Sequence, residues 1–266
     1  HGRHCMKQIT LNVDDLGLAP PVNQAVLRLA EMGRIQSASF MSLGRIDADE
    51  VAQLRQYAVE IGLHLDFTGL AKQGSLKQVM WRSWRRAWPS AWLSDEIARQ
   101  LDAYENQIGA APVFVDGHQH VHQFPQIREQ LLAALLQRYG NRVMLRSTRP
   151  FATDAKSLLI YTLGGPTLQQ LAHSQTLKLN RSFGGAYAFN DNIAALRQRW
   201  QHWLAAAPAA GTVLMCHPAI AASGWQDEIK TAREREWAWL SGSEFAELWQ
   251  QQQCAPQSWA QMGDLS

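Results

Sequence analysis

Short apolar runs of strand length alternate with helical patterns along almost the whole chain, and this rhythm restricts the fold more than any other feature. Residues 7–13 (KQITLNV), 37–43, 60–67 (EIGLHLDF), 113–115, 142–145 and 211–216 (GTVLMC) read as strands. Between them, Pro20-Pro21 opens a helix in which Val22, Ala25, Val26, Leu29 and Ala30 keep helical spacing until Gly33. Residues 47–57, 94–108, 126–138, 192–206 and 243–252 read as further helices. Strands linked through helices run parallel, in a doubly wound sheet or closed into a barrel. In both architectures the carboxyl ends of the strands line one rim, and sites are built there.

Polar residues sit where that rim would be. Asp14 and Asp15 follow the first strand, His64 lies in the third, and His217 follows GTVLMC. The strand at 113–115 runs through Asp116 into His118-Gln119-His120-Val121-His122. If the strand continued, alternation would turn all three of these imidazoles to one face. Histidine is the commonest metal ligand and the usual proton carrier near neutral pH. Two imidazoles and a carboxylate form a site for a divalent cation with positions left for water and substrate. A second carboxylate could then accept the proton of water and a further histidine could supply one to a leaving group. Taken alone, Asp14-Asp15-Leu16-Gly17 reads better as a plain turn with an acidic helix entry, whereas HQHVH reads better as part of a site than as a solvated turn.

The chain has 266 residues, 46% hydrophobic and 18% charged, an ordinary globular composition near the upper limit for one core. Its formal net charge of +2 does not argue for nucleic acid. No apolar run reaches the length of a membrane span, and no signal-like segment opens the sequence. Residues 1–5, ahead of Met6, read as a remnant of expression cloning, which leaves residues 6–266 as one domain and discounts Cys5. Cys216 and Cys254 are too few for a disulfide framework, and a cytoplasmic location is expected. The Trp/Arg-rich stretch MWRSWRRAWPSAW, residues 80–92, breaks the rhythm and reads as an inserted excursion around residues 70–95. Trp81, Trp84 and Trp88 have helical spacing, so packing on the body is expected over stacking on a sugar at the site mouth.

Asn12-Val13-Asp14-Asp15-Leu16-Gly17-Leu18, followed by Val22-Asn23, resembles the NADDFGL…vN opening of the YdjC-like carbohydrate deacetylases, which include diacetylchitobiose and hopanoid-associated deacetylases. Ile61-Gly62-Leu63-His64-Leu65-Asp66-Phe67-Thr68 is similar to that family's GLHLxLT segment, and Val115–Pro125 to its DSHQHVHxFP segment. Leu214-Met215-Cys216-His217-Pro218 is similar to its ELMCHPG, and the run from Arg233 to Glu236 to its RxxEL. The resemblance implies an irregular (β/α) barrel of TIM-barrel type and hydrolysis of an N-acetyl group on an amino sugar of GlcNAc type. It implies Asp15, His64 and His118 as ligands of one divalent cation, magnesium or zinc. By analogy with metal-dependent sugar deacetylases, Asp14 would be the general base and His217 the general acid.

His120 and His122 would then stand behind the ligands or on the substrate side, and Arg146 and Arg149 could orient Asp14, bind the sugar, or equally be plain surface charge. Leu16, Val13, Asp66 and Ala219 depart from the family pattern without removing a ligand, and Asp66 would add negative charge near the cation. A phosphoesterase on the same rim and a non-catalytic sugar-binding protein are the alternatives. The expected partner is a small N-acetylated sugar, with no nucleic acid and no membrane span, and apolar faces on the barrel helices could support a homodimer.

Overall fold

The computed structural model describes residues 6–265, so the expectation about residues 1–5 lies outside the described residues. Eight strands form one sheet: β1 (Lys7–Leu16), β2 (Ser37–Phe40), β3 (Glu60–Leu65), β4 (Phe114–Gly117), β5 (Met144–Leu145), β6 (Ser182–Gly184), β7 (Thr212–Cys216) and β8 (Cys254–Pro256). The order is β5-β4-β3-β2-β1-β7-β6, with β8 added to the start of β1, and every pairing is parallel. Parallel bridges Leu145↔Leu179 and Pro150↔Phe183 join the β5 side of the sheet to the β6 side. The sheet therefore curls into an irregular barrel, in agreement with the expected fold class.

The helices are α1 (Pro20–Glu31), α2 (Ala48–Gln56), α3 (Leu76–Trp84), α4 (Ser90–Ile108), α5 (Ile127–Tyr139), α6 (Ala155–Thr162), α7 (Gly165–Ser174), α8 (Ile193–Ala206), α9 (Lys230–Leu240), α10 (Ser243–Gln251) and α11 (Trp259–Gly263). In α1, proline stands in the first turn, where its missing N–H costs nothing, and Val22, Ala25, Val26 and Leu29 face the core. β1 is buried on both faces from Ile9 onward, as a central parallel strand covered by helices must be. No helix among the described residues is long and apolar enough to cross a membrane.

The Trp/Arg-rich excursion is α3, a turn and the start of α4. The three tryptophans do not form one stripe, because α3 ends at Trp84 and Arg86 adopts a left-handed φ of 52°. Trp88 is buried, stacked on Trp92 at 5.3 Å and tilted against Phe67. Trp84 rests on Phe124 at 5.1 Å while staying 45% exposed, and Trp81 lies 57% exposed beneath Arg85. Packing on the body describes Trp88 fully, Trp84 in part and Trp81 hardly at all.

Candidate metal centre

The two acidic residues at the end of β1 reach the rim through a break in register. Pairing with β2 shifts between Val13 and Leu16, and Asp15 has a φ of 71°. In a regular strand, neighbouring side chains point to opposite faces. A bulge re-aims one of them, and aspartate tolerates the left-handed region better than most residues. Gly17 follows at φ 95°, where a Cβ would lie 2.6 Å from the Phe40 ring and 2.9 Å from the Met41 carbonyl oxygen. Only glycine fits that turn.

Asp15 Oδ1 lies 3.1 Å from His64 Nε2 and 3.0 Å from His118 Nδ1. Asp15 and His64 are buried and His118 is partly exposed. Donors bound at 2.0–2.1 Å in a tetrahedral arrangement stand roughly 3.3 Å apart, so this spacing and this nitrogen–nitrogen–oxygen set fit a divalent cation. Asp15 Oδ2 turns away and receives Arg233 Nη2 at 2.9 Å. Burial by itself would raise the Asp15 pKa. The Arg233 charge, with the His118 and His64 rings beside the other oxygen, outweighs it and holds the carboxyl well below the usual range. The free oxygen therefore stays anionic, as a ligand must.

Asp14 is held on the other side. Arg146 grips it with two nitrogens, Nη2 to Oδ1 at 2.7 Å and Nη1 to Oδ2 at 3.0 Å, and Asn12 Nδ2 donates to Oδ1 at 2.8 Å. Burial opposes ionisation, yet Arg146, with His64 and His217, holds its pKa far below the ordinary carboxylate value. Val13 pairs with Cys216 across β1 and β7, so the next residues, Asp14 and His217, emerge side by side. His217 Nε2 is 3.6 Å from Asp14 Oδ2, too long for a direct hydrogen bond, and Nδ1 is buried without a partner. The histidine thus stands beside the carboxylate at the same rim.

The remaining sequence candidates are placed differently from the expectation. After β4 the chain does not continue as a strand. Residues His118–Gln123 form a tight 3-10 turn, with Gln119 and His120 at left-handed φ values of 55° and 62°. Period-2 alternation therefore fails here, and only His118 joins the cation site. His120 is buried edge-on to Phe183 at 5.5 Å, and burial together with the Arg146 charge pushes its pKa well down. His122 is fully buried, with its Nε2–H donating to the Arg146 carbonyl at 2.8 Å. The Arg149 side chain is exposed, and its backbone serves the barrel seam by accepting from Phe183 N–H. Asp66 does not add charge to the site: its two oxygens accept from the Gly69 and Ala71 N–H groups and shape the loop after β3.

Burial lowers the His122 pKa to about 4, so it folds as neutral imidazole. A depressed histidine contributes stability that is present above the unfolded value, near 6.5, and is lost as pH falls toward the folded one. Between pH 6.5 and 4 the linkage amounts to roughly 3 kcal/mol. Chemical denaturation across that window is expected to show this loss in the wild type and a shallower slope in His122→Asn. Equal slopes would contradict the neutral burial of His122.

Several residues of the site carried no role in the sequence reading. Asp116, the penultimate residue of β4, lies directly beside His64. Arg233 and Glu236 lie one turn apart on α9: Arg233 also binds Asp227 at 2.7 Å, while Glu236 accepts from the His217 backbone N–H at 2.7 Å and from the Tyr187 hydroxyl at 2.6 Å. The signal available in the sequence was a charged pair at helical i,i+3 spacing in a segment close to a strand-end histidine.

A family model described as YdjC-like protein matches residues 8–251. The chain belongs to the YdjC-like family. Among the relatives of this YdjC-like chain, a protein named chitooligosaccharide deacetylase from Escherichia fergusonii is 30% identical over 131 residues, 45% of this chain and 52% of that protein. One of the same name from Enterobacter sp. strain 638 is 29% identical over 135 residues, 46% and 52% of the two chains. The chain spans about half the length of the curated relatives it matches. Among solved structures, one from Enterococcus faecalis V583, described as a cellobiose-phosphate cleavage protein, superposes with a TM-score of 0.72 at 16% identity over 97% of this chain and 99% of that one. A peptidoglycan N-acetylglucosamine deacetylase gives 0.51 at 11% identity over 100% and 92%. At these identities the structural likeness concerns the fold alone.

Proposed function

We propose that this YdjC-like chain is a divalent-cation-dependent hydrolase that removes the N-acetyl group from an N-acetylated amino sugar, a GlcNAc-type saccharide or glycolipid, and releases acetate. The observation that carries the reading is the meeting of Asp15, His64 and His118, from three separate segments, beside a carboxylate that is not part of the trio. The names of the curated relatives support the same chemistry. Asp15, His64 and His118 would hold the cation, and two imidazoles with one carboxylate suit zinc on ligand preference, with magnesium the other candidate.

When bound, the cation supplies positive charge for the amide oxygen and acidifies water. Asp14 accepts a proton as the water oxygen attacks the acetamide carbon. His217 gives a proton from Nε2 to the amine nitrogen as the C–N bond breaks. Acetic acid and the free amine account for all atoms of water and amide. Asp14 and His217 stand 3.6 Å apart, so a small shortening of that gap would let the captured proton pass to the histidine and reset the pair. Arg146 keeps Asp14 ionised and aimed. Both guanidiniums buried at the site, Arg146 and Arg233, are engaged by carboxylates, so neither offers the grip a phosphoester substrate calls for.

The test is acetate release from a panel of N-acetylated sugars and oligomers, alongside a generic phosphoester, before and after chelation. Acetate is expected from at least one sugar, lost on chelation and restored by zinc or magnesium. Phosphoester hydrolysis without acetate release from any sugar would overturn the reading.

A further inference from the structure

We propose that Asp116 is a positioning residue that holds the cation ligand His64 and, through Arg146, the carboxylate Asp14 in register with each other. The inference builds on the site reading above but extends to a residue with no role in that chemistry. Asp116 is fully buried and its two oxygens are committed in different directions. Oδ1 lies 2.6 Å from His64 Nδ1. Oδ2 lies 2.6 Å from Arg146 Nη2 and accepts from Ser39 Oγ at 2.5 Å. His64 and Asp116 are Cα partners across β3 and β4, so sheet register, not a flexible loop, sets their approach.

A carboxylate can only accept, so the Nδ1 of His64 must carry its proton toward Asp116. That leaves Nε2, 3.1 Å from Asp15 Oδ1, as the nitrogen facing the cation site. A partner that fixes the tautomer and ring orientation of a ligating histidine is a general requirement of metal sites. Here the same carboxylate does more. Arg146 Nη2 is shared between Asp116 Oδ2 and Asp14 Oδ1, and Arg146 Nε is buried without a partner. The plane of the guanidinium is therefore set by Asp116 and Asp14 together. A chain of contacts runs Asp15–His64–Asp116–Arg146–Asp14, with Asp116 at its middle.

An amide at this position cannot satisfy both neighbours. If the amide oxygen of Asp116→Asn accepts from His64, its NH2 group faces the Arg146 donors. If it is flipped, the NH2 group meets His64 Nδ1 and moves the ring proton to Nε2, where the cation should bind. A residue that merely holds the fold would affect stability without touching the tautomer.

The experiment uses the whole chain and zinc as the probe. Zinc affinity is measured by competition with a chromophoric chelator, and the histidine ring nitrogens of the zinc-loaded protein are followed by 15N NMR. In the wild type, His64 is expected to be protonated at Nδ1 and zinc-bound through Nε2. In Asp116→Asn, zinc affinity is expected to fall about 10–100-fold, with loss of the single-tautomer signature. A folded variant that keeps either the affinity or the tautomer overturns the proposal. The wild-type spectrum is decisive even if the variant does not fold, because zinc bound through Nδ1, or a proton on Nε2, would overturn it outright. Neither readout involves a sugar or acetate, so a failure here is distinct from a failure of the deacetylase reading.

Discussion

The His118→Ala variant is expected to lose divalent-cation binding and, with it, acetate release, while keeping its fold. His118 is the choice among the three ligands because its side chain is 22% exposed, against 1% for His64 and 2% for Asp15, so truncation leaves no buried cavity of consequence. It sits in the turn after β4 and contributes one of three donors. With that donor gone, Asp15 and His64 present two points where a tetrahedral cation needs three from the protein. Cation affinity should fall by at least two orders of magnitude and turnover by on the order of 10³ or more, given the Lewis-acid role. The far-ultraviolet spectrum and the apo-protein melting temperature should stay close to wild type. Wild-type metal content and turnover in this variant would remove His118 from the site.

The second large effect is expected at Asp14. Asp14→Asn keeps the shape of the side chain but cannot accept a proton, so kcat should drop roughly 10²–10⁴-fold, the usual range for a positioned general base. Cation affinity should change little, because Asp14 is turned toward Arg146 and His217 and does not belong to the trio. This separation of kcat from metal affinity distinguishes a base from a ligand. Arg146 keeps Asp14 ionised far below the normal carboxylate range. An acidic limb in the rate profile near neutral pH therefore belongs to another group. A variant that retained a tenth of wild-type kcat would exclude Asp14 as the base.

The barrel was legible because its cause is local. Parallel strands covered on both faces read as apolar runs, and β1, β3 and β7 each do so. Two of the short strands were harder. β6 has three residues and β8 three, too few for alternation to register. Helix α9 escaped for a different reason. Its buried face carries Arg233 and Glu236 beside Ala232, Trp239 and Leu240, so no clean apolar stripe exists to be read. Polar residues that face a site instead of a core erase the periodicity by which helices are recognised.

By itself the sequence determined the alternation of strand and helix, the parallel sheet that follows from it, and the placing of Asp14, Asp15, His64, His118 and His217 at or near strand ends. Those properties rest on hydrophobic period and chain order, which are written in one dimension. Hydrophobic period could not rank the histidines of HQHVH; the family resemblance pointed to His118, and the tertiary structure brings it to Asp15 through left-handed φ values at Gln119 and His120 that alternation does not anticipate. Tertiary structure alone decided that Asp116 joins His64 to Arg146 and that Arg233 reaches Asp15 from α9. Buried charges must find partners wherever the fold brings them, and those partners lie up to 218 positions apart in the chain, from Asp15 to Arg233.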